Sequence, residues 1–170
     1  MINRLRRRFI LIAMTSVTLV MVLLSLSINV INFLSTDSSL KDMLEIIYHN
    51  RGSVPEFSGG RKPERAAPFT PETPYSTRYF VLHYTVDGTL LSADMTHIAA
   101  VTQDDADLYL SIARKHGEGF GYSGNYKYYV VSTQEGQCIA IFLDCQQELR
   151  SVRTFALTTL LVIVACIILI

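Results

Sequence analysis

Four histidines, His49, His83, His97 and His116, are the side chains best suited to metal binding or proton transfer, and they fall on separate stretches of the 170-residue chain. A lone histidine is more often a surface or hydrogen-bonded residue than a ligand. Asp94-x-x-His97 has metal-ligand spacing without a third ligand nearby. A turn in which Asp94 bonds local backbone accounts for it better. Asp104, Asp105 and Asp107 resemble an acidic metal site, but acids in the first turn of a helix favour its dipole, which is the simpler reading. Gly117, Gly119, Gly121 and Gly124 lack a following Lys or Ser in phosphate-loop spacing and read as turns. The three cysteines, Cys138, Cys145 and Cys166, have no zinc spacing. On one extended segment Cys138 and Cys145 would lie about 23 Å apart, beyond disulfide reach. No catalytic residues, no metal and no cofactor are expected.

The tyrosines are more suggestive. Tyr122, Tyr126, Tyr128 and Tyr129 crowd two neighbouring strand segments. Tyrosine gives a pocket an apolar wall with a polar tip. His83 lies on a strand whose second face could line such a pocket. His83, Tyr122, Tyr126 and Tyr128 are therefore the candidate ligand-contacting residues, with ordinary cross-strand packing as the competing account. A second pattern lies in an uncharged stretch. Thr15, Thr18, Val22, Ser25, Asn29, Asn32 and Thr36 follow a 3,4 spacing along one helix face. Polar residues aligned this way mark helix–helix contact in lipid, so Thr15, Thr18, Ser25, Asn29 and Asn32 are the candidate interface, serving a homodimer.

These residues need elements to hold them, and charge places the elements. No charged residue occurs from Phe9 to Thr36 or from Thr154 to Ile170. Arg4, Arg6, Arg7 and Arg8 precede the first stretch, whereas residues 37–152 carry 10 basic and 15 acidic side chains. An acidic folded part without a basic patch argues against a nucleic-acid partner. A bilayer core of about 30 Å needs roughly 20 apolar residues in a helix. Residues 9–34 supply a transmembrane helix, and 154–170 a second that is a few residues short. The chain is expected to continue beyond it. The first stretch is too long for a cleavable signal peptide and lacks an Ala-x-Ala-like site. Basic flanks stay cytoplasmic. That makes 1–8 a cytoplasmic N-terminus and places residues of about 37–152 outside, in a two-pass protein of the bacterial plasma membrane.

Between the spans, residues 35–50 read as a juxtamembrane helix, with Leu40, Met43, Leu44 and Ile47 at helical spacing. Residues 51–77 hold all five prolines and read as a linker. Residues 78–145 form the outer domain. Strands are expected at 78–86 and 89–93, around the turn signal Asp87-Gly88. The first is apolar on both faces, which implies cover on both, or cover on one and a pocket on the other. Thr102, with Asp105 three residues on, starts a helix that Gly117 ends. Strands near 120–123, 126–133 and 137–143 follow, and 146–153 connects as helix to the second span. The order predicts an α+β domain, a small PAS-like antiparallel sheet with flanking helices.

This arrangement resembles the N-terminal sensor region of bacterial membrane-bound two-component sensor histidine kinases. The stretches that carry the resemblance are RYFVLHYTVDGTL with DMTHIAA, then Gly121-Tyr122 with Tyr126-Lys127-Tyr128. IFLDC with Glu148-Leu149 and Val152-Arg153-Thr154-Phe155 runs into the second span. The resemblance implies reception of an unknown extracellular stimulus and its transmission. Kinase chemistry, and a response regulator as partner, would belong to a cytoplasmic part that this chain does not contain. The alternative is a membrane-anchored extracellular binding protein without a kinase partner domain.

Overall fold

Nothing in the first 49 residues breaks a helix: neither Gly nor Pro occurs there. A computed structural model, which describes residues 2–55, 72–133 and 136–169, accordingly has one helix, α1, from Ile2 to His49. The apolar stretch and the juxtamembrane helix are thus parts of a single element. The chain divides into two compact units, Met1–Thr36 with Glu148–Ile170, and Asp37–Gln147.

The first unit contains the apolar part of α1 and most of helix α4 (Gln146–Leu169). Both helices are long and apolar enough to cross a membrane. In α1, Thr18, Ser25, Asn29 and Asn32 are half-buried, while Thr15 is exposed. The half-buried line also runs through Met14 and Met21. In α4 the half-buried positions include Thr159, Ile163 and Cys166. Asn29 Nδ2 donates to the Ser25 carbonyl at 2.9 Å. Its Oδ1 is buried with no partner among the described residues.

The second unit is an α+β domain with five antiparallel strands. These are β1 (Tyr79–Thr85), β2 (Leu90–Asp94), β3 (Gly119–Ser123), β4 (Tyr126–Ser132) and β5 (Gln137–Asp144). Their order is β2-β1-β5-β4-β3. Strand β1 lies between β2 and β5, with Phe80 opposite Phe142 and Leu82 opposite Ala140. Its burial is nearly complete from Tyr79 to Leu82, because both faces of the sheet are covered.

Helix α3 (Ala106–His116) covers one face. Phe80, Leu82, Tyr128, Val130 and Phe142 from the sheet join Leu110 and Ala113 from the helix in one apolar cluster. Phe80 and Phe142 stack at 4.8 Å, and Tyr109 of α3 closes edge-on against Phe80 at 4.9 Å. Burying each such side chain is worth roughly 1.5–3 kcal/mol. Thr102 opens the short 3-10 turn Gln103–Asp105 ahead of α3, in a reciprocal capping box with Asp105. Gly117 ends the helix at φ 69°, a conformation glycine adopts without strain.

The end of α1 covers the other face. Leu40, Leu44 and Ile47 are buried, as the helical spacing requires, and Tyr48 meets Tyr129 of β4 edge-on at 5.7 Å. Of the expected linker, residues 56–71 lie outside the described residues. Its end is ordered as the turn α2 (Thr73–Ser76), with Thr73 buried.

Candidate functional site

Alternation along β3 and β4 decides which side chains can meet. Tyr122 pairs with Lys127, Gly121 with Tyr128 and Phe120 with Tyr129. Lys127 therefore shares a face with Tyr122 and Tyr129, the face under α1. Among the described residues, Lys127 is the one charged side chain in the group of fully buried large residues, at 1% exposure. It lies opposite Asp37, the first charged residue after the uncharged stretch.

The ammonium of Lys127 donates to Asp37 Oδ1, to the Asp37 main-chain carbonyl at 2.9 Å and to the Tyr122 hydroxyl oxygen at 3.3 Å. Its three donors are all engaged. The Tyr122 hydroxyl donates to Asp37 Oδ1 at 2.6 Å, and Lys41, one helical turn on, pairs with Asp37 Oδ2 at 2.8 Å. The ammonium also sits 4.8 Å from the Tyr122 ring centroid, in cation–π range. A charge this deep is tolerated because it is both neutralised and saturated with hydrogen bonds.

Titration behaviour follows. Burial acts to raise the Asp37 carboxyl, but donors from Lys127, Lys41 and Tyr122 outweigh it and hold the group well below the usual carboxylate range. Burial lowers Lys127, against the pull of Asp37. Burial and the bond to Asp37 raise Tyr122, so its phenol is a neutral donor. The cluster is a charge-assisted latch between α1 and the β3–β4 pair. It offers no nucleophile or base to a substrate.

The candidate ligand residues fall on two faces. Tyr122 and His83 face the α1 side, but on β3 and β1, with β4 and β5 between them. Tyr126 and Tyr128 face α3. Tyr126 meets Phe80 at 5.6 Å and Tyr109 at 5.5 Å, and burial followed by Tyr109 pushes its phenol up to about 12. Tyr128 is 2% exposed against Phe142 and His116, and burial raises it. The four residues thus do not converge on one cavity. Asp94 accepts from the main-chain N–H and the hydroxyl of Thr96 at 3.0 and 2.7 Å, the local turn expected of it. Among the described residues, no three His, Cys, Asp or Glu side chains gather as a metal site.

The sequence pattern alone assigns Lys127 no role. A signal was present: it occupies an inward position in YKYYVVS, alternating with Tyr129 and Val131. A lysine inside a strand covered on both faces requires a carboxylate. Set against protein-family models, curated proteins and solved structures, the chain matches none.

Proposed function

We propose that residues of about 37–152 form an extracytoplasmic PAS-like sensing unit, the input region of a sensor histidine kinase in the bacterial plasma membrane. The observation that carries this reading is covalent continuity. Helix α1 holds both the uncharged stretch and Leu40, Leu44 and Ile47, which are buried in the sheet unit. At the other end β5 passes into α4 through Cys145 alone. A rearrangement of the sheet therefore has a direct covalent route to both apolar helices. The Asp37–Lys127–Tyr122 latch lies where α1 enters the sheet unit, and a change in it would alter how the helix is held. A five-stranded antiparallel sheet with helices on both faces supports the PAS-like reading, and the basic N-terminus supports the orientation. A stimulus drives such a device only by binding two arrangements with different affinity.

The test is a chimera in which residues 1–170 feed the cytoplasmic kinase region of a characterised sensor, read by a transcriptional reporter. The expected result is a severalfold change in output on Asp37→Leu with Lys127→Met, which removes both buried charges at near-parent stability, with surface expression unchanged. Output that is the same for the parent, for that double variant and for a chimera lacking residues 78–145 would overturn the reading in favour of an anchored binding protein.

A further inference from the structure

Main-chain bonding alternates along the sheet, and the alternation fixes which groups the outer strands leave open. The Thr133 N–H donates to the Gln137 carbonyl at 2.6 Å, so the odd-numbered residues of β4 bond β5. Tyr126, Tyr128 and Val130 therefore bond β3, through Ser123, Gly121 and Gly119. The main-chain N–H and C=O groups of Phe120 and Tyr122 point away from β4. Strand β3 is last in the sheet order, and no main-chain bond from elsewhere among the described residues engages those groups.

The two edges of the sheet differ. Natural edges are guarded by irregular pairing and by charge. Strand β2 has both: its register against β1 shifts between His83 and Tyr84, and it ends on Asp94. Strand β3, GFGYS, has no charge and no proline, and its register runs unbroken from Gly119 to Ser123. Beside its open groups lie the Phe120 and Tyr122 rings, 36% and 38% exposed on the face under α1. Nearby charges cancel, Asp37 and Glu45 of α1 against Lys41 and Lys127, and Glu118 ahead of the strand against Lys115. The edge therefore asks for apolar side chains without net charge.

We infer that the open edge of β3 takes up an extended, uncharged segment of a second protein as a further strand. Alternating donors and acceptors at strand spacing are what an extended main chain supplies. Aromatic or β-branched side chains of that segment lie beside Phe120 and Tyr122. A second copy of β3 does not fit on the same bilayer. Pairing β3 with itself takes a two-fold axis normal to the sheet, which reverses the direction of α1 in the partner copy. The added strand grips the main chain of Tyr122, whose hydroxyl bonds Asp37. That consequence, a partner acting on the latch, rests on the receptor reading; strand addition itself does not.

The experiment follows residue-resolved hydrogen exchange of the full chain in nanodiscs. The probe is a heptapeptide of alternating valine and threonine, and the control is the same peptide fully N-methylated. In the free chain the Phe120 and Tyr122 amides are expected to exchange much faster than those of Gly121 and Ser123. The probe should slow Phe120 and Tyr122 saturably, by about tenfold or more at millimolar concentration, and the control should not. Phe120→Pro removes an N–H that faces away from β4, a position where an edge strand accepts proline. It is expected to abolish the protection of Tyr122 while Gly121 and Ser123 stay protected. Phe120 and Tyr122 amides already protected in the free chain, no protection by the probe, or equal protection by the control would each overturn the site. Protection that leaves chimera output unmoved would instead count against the receptor reading and leave the site standing.

Discussion

Lys127 and Asp37 are joined twice: the ammonium donates to the carboxylate and to the main-chain carbonyl of the same residue. The second bond fixes the helix backbone itself, so the strand reads the position of α1 and not only the rotamer of one side chain. Removing the carboxylate leaves an uncompensated buried cation. Asp37→Ala is expected to cost about 3–5 kcal/mol of the sheet unit's stability. The pair Asp37→Leu with Lys127→Met removes both charges and is expected to recover to within about 1 kcal/mol of the parent, or to exceed it. Chemical denaturation followed by near-ultraviolet circular dichroism of the tyrosines measures both. A double variant as unstable as Asp37→Ala would mean that the charge itself is not what the site balances.

Stability should fall on acidification. The Asp37 carboxyl lies below its ordinary value when folded, so its contribution is complete above about 3.9. It is lost as pH falls through the folded value. Asp94, held low by its bonds from Thr96, acts in the same direction. Tyr84 and Tyr126, each pushed up to about 12 chiefly by burial, stabilise the fold below about 10 and lose that contribution as pH rises towards 12. Unfolding temperature against pH should therefore drop on both flanks, and Asp37→Asn should flatten the acid flank. An unchanged acid flank in Asp37→Asn would contradict the assignment.

Gly121 is required by close approach. It sits opposite Tyr128, and a Cβ placed there would overlap the Tyr128 phenol, whose ring is buried and cannot swing away. Gly121→Val is expected to destabilise the unit by about 1–3 kcal/mol, against a change within about 0.5 kcal/mol for the exposed Lys115→Ala. Thermal unfolding of the two variants gives the comparison. Equal stability would mean that the β3 edge moves to accommodate the side chain.

Asn29 presents a different demand. Its Oδ1 is buried within the chain with no partner among the described residues, and hydrocarbon supplies no donor. Turned outward, the side chain would meet a matched amide on a second copy of α1, a contact worth about 0.6–2 kcal/mol. Ser25→Leu with Asn29→Leu is expected to weaken self-association of the full chain in a membrane crosslinking assay. Leu23→Ala with Leu26→Ala, at 54% and 62% exposure on other faces, should matter less. The opposite ranking would remove the stripe as the interface.

How much of this was legible in the sequence depended on whether the signal was local. The Thr102–Asp105 cap, the Gly117 stop and the two-sided apolarity of β1 are written in consecutive residues, and the structure follows them. The helical spacing of Leu40, Leu44 and Ile47 also gave the buried face of α1. The tyrosine group was less readable, since adjacency along a chain does not fix a face. Tyr122 precedes a turn and Tyr126 follows it, and register sends one towards α1 and the other towards α3. The latch was hidden for the same reason: Asp37 and Lys127 are ninety residues apart, and only the pairing of β4 beneath α1 brings them together.

The central claim is that the sheet unit lies outside the cell, joined through α1 to a cytoplasmic N-terminus. Cysteine accessibility in intact cells tests it most directly. Cys138 and Cys145 are buried and give little background, so a cysteine can be placed at the exposed Lys115 of α3 and, separately, at Asn3. A membrane-impermeant maleimide should label Lys115→Cys in intact cells and Asn3→Cys only after permeabilisation. Labelling of Asn3→Cys from outside, with Lys115→Cys protected until the membrane is opened, would place the sheet unit in the cytoplasm and contradict the account.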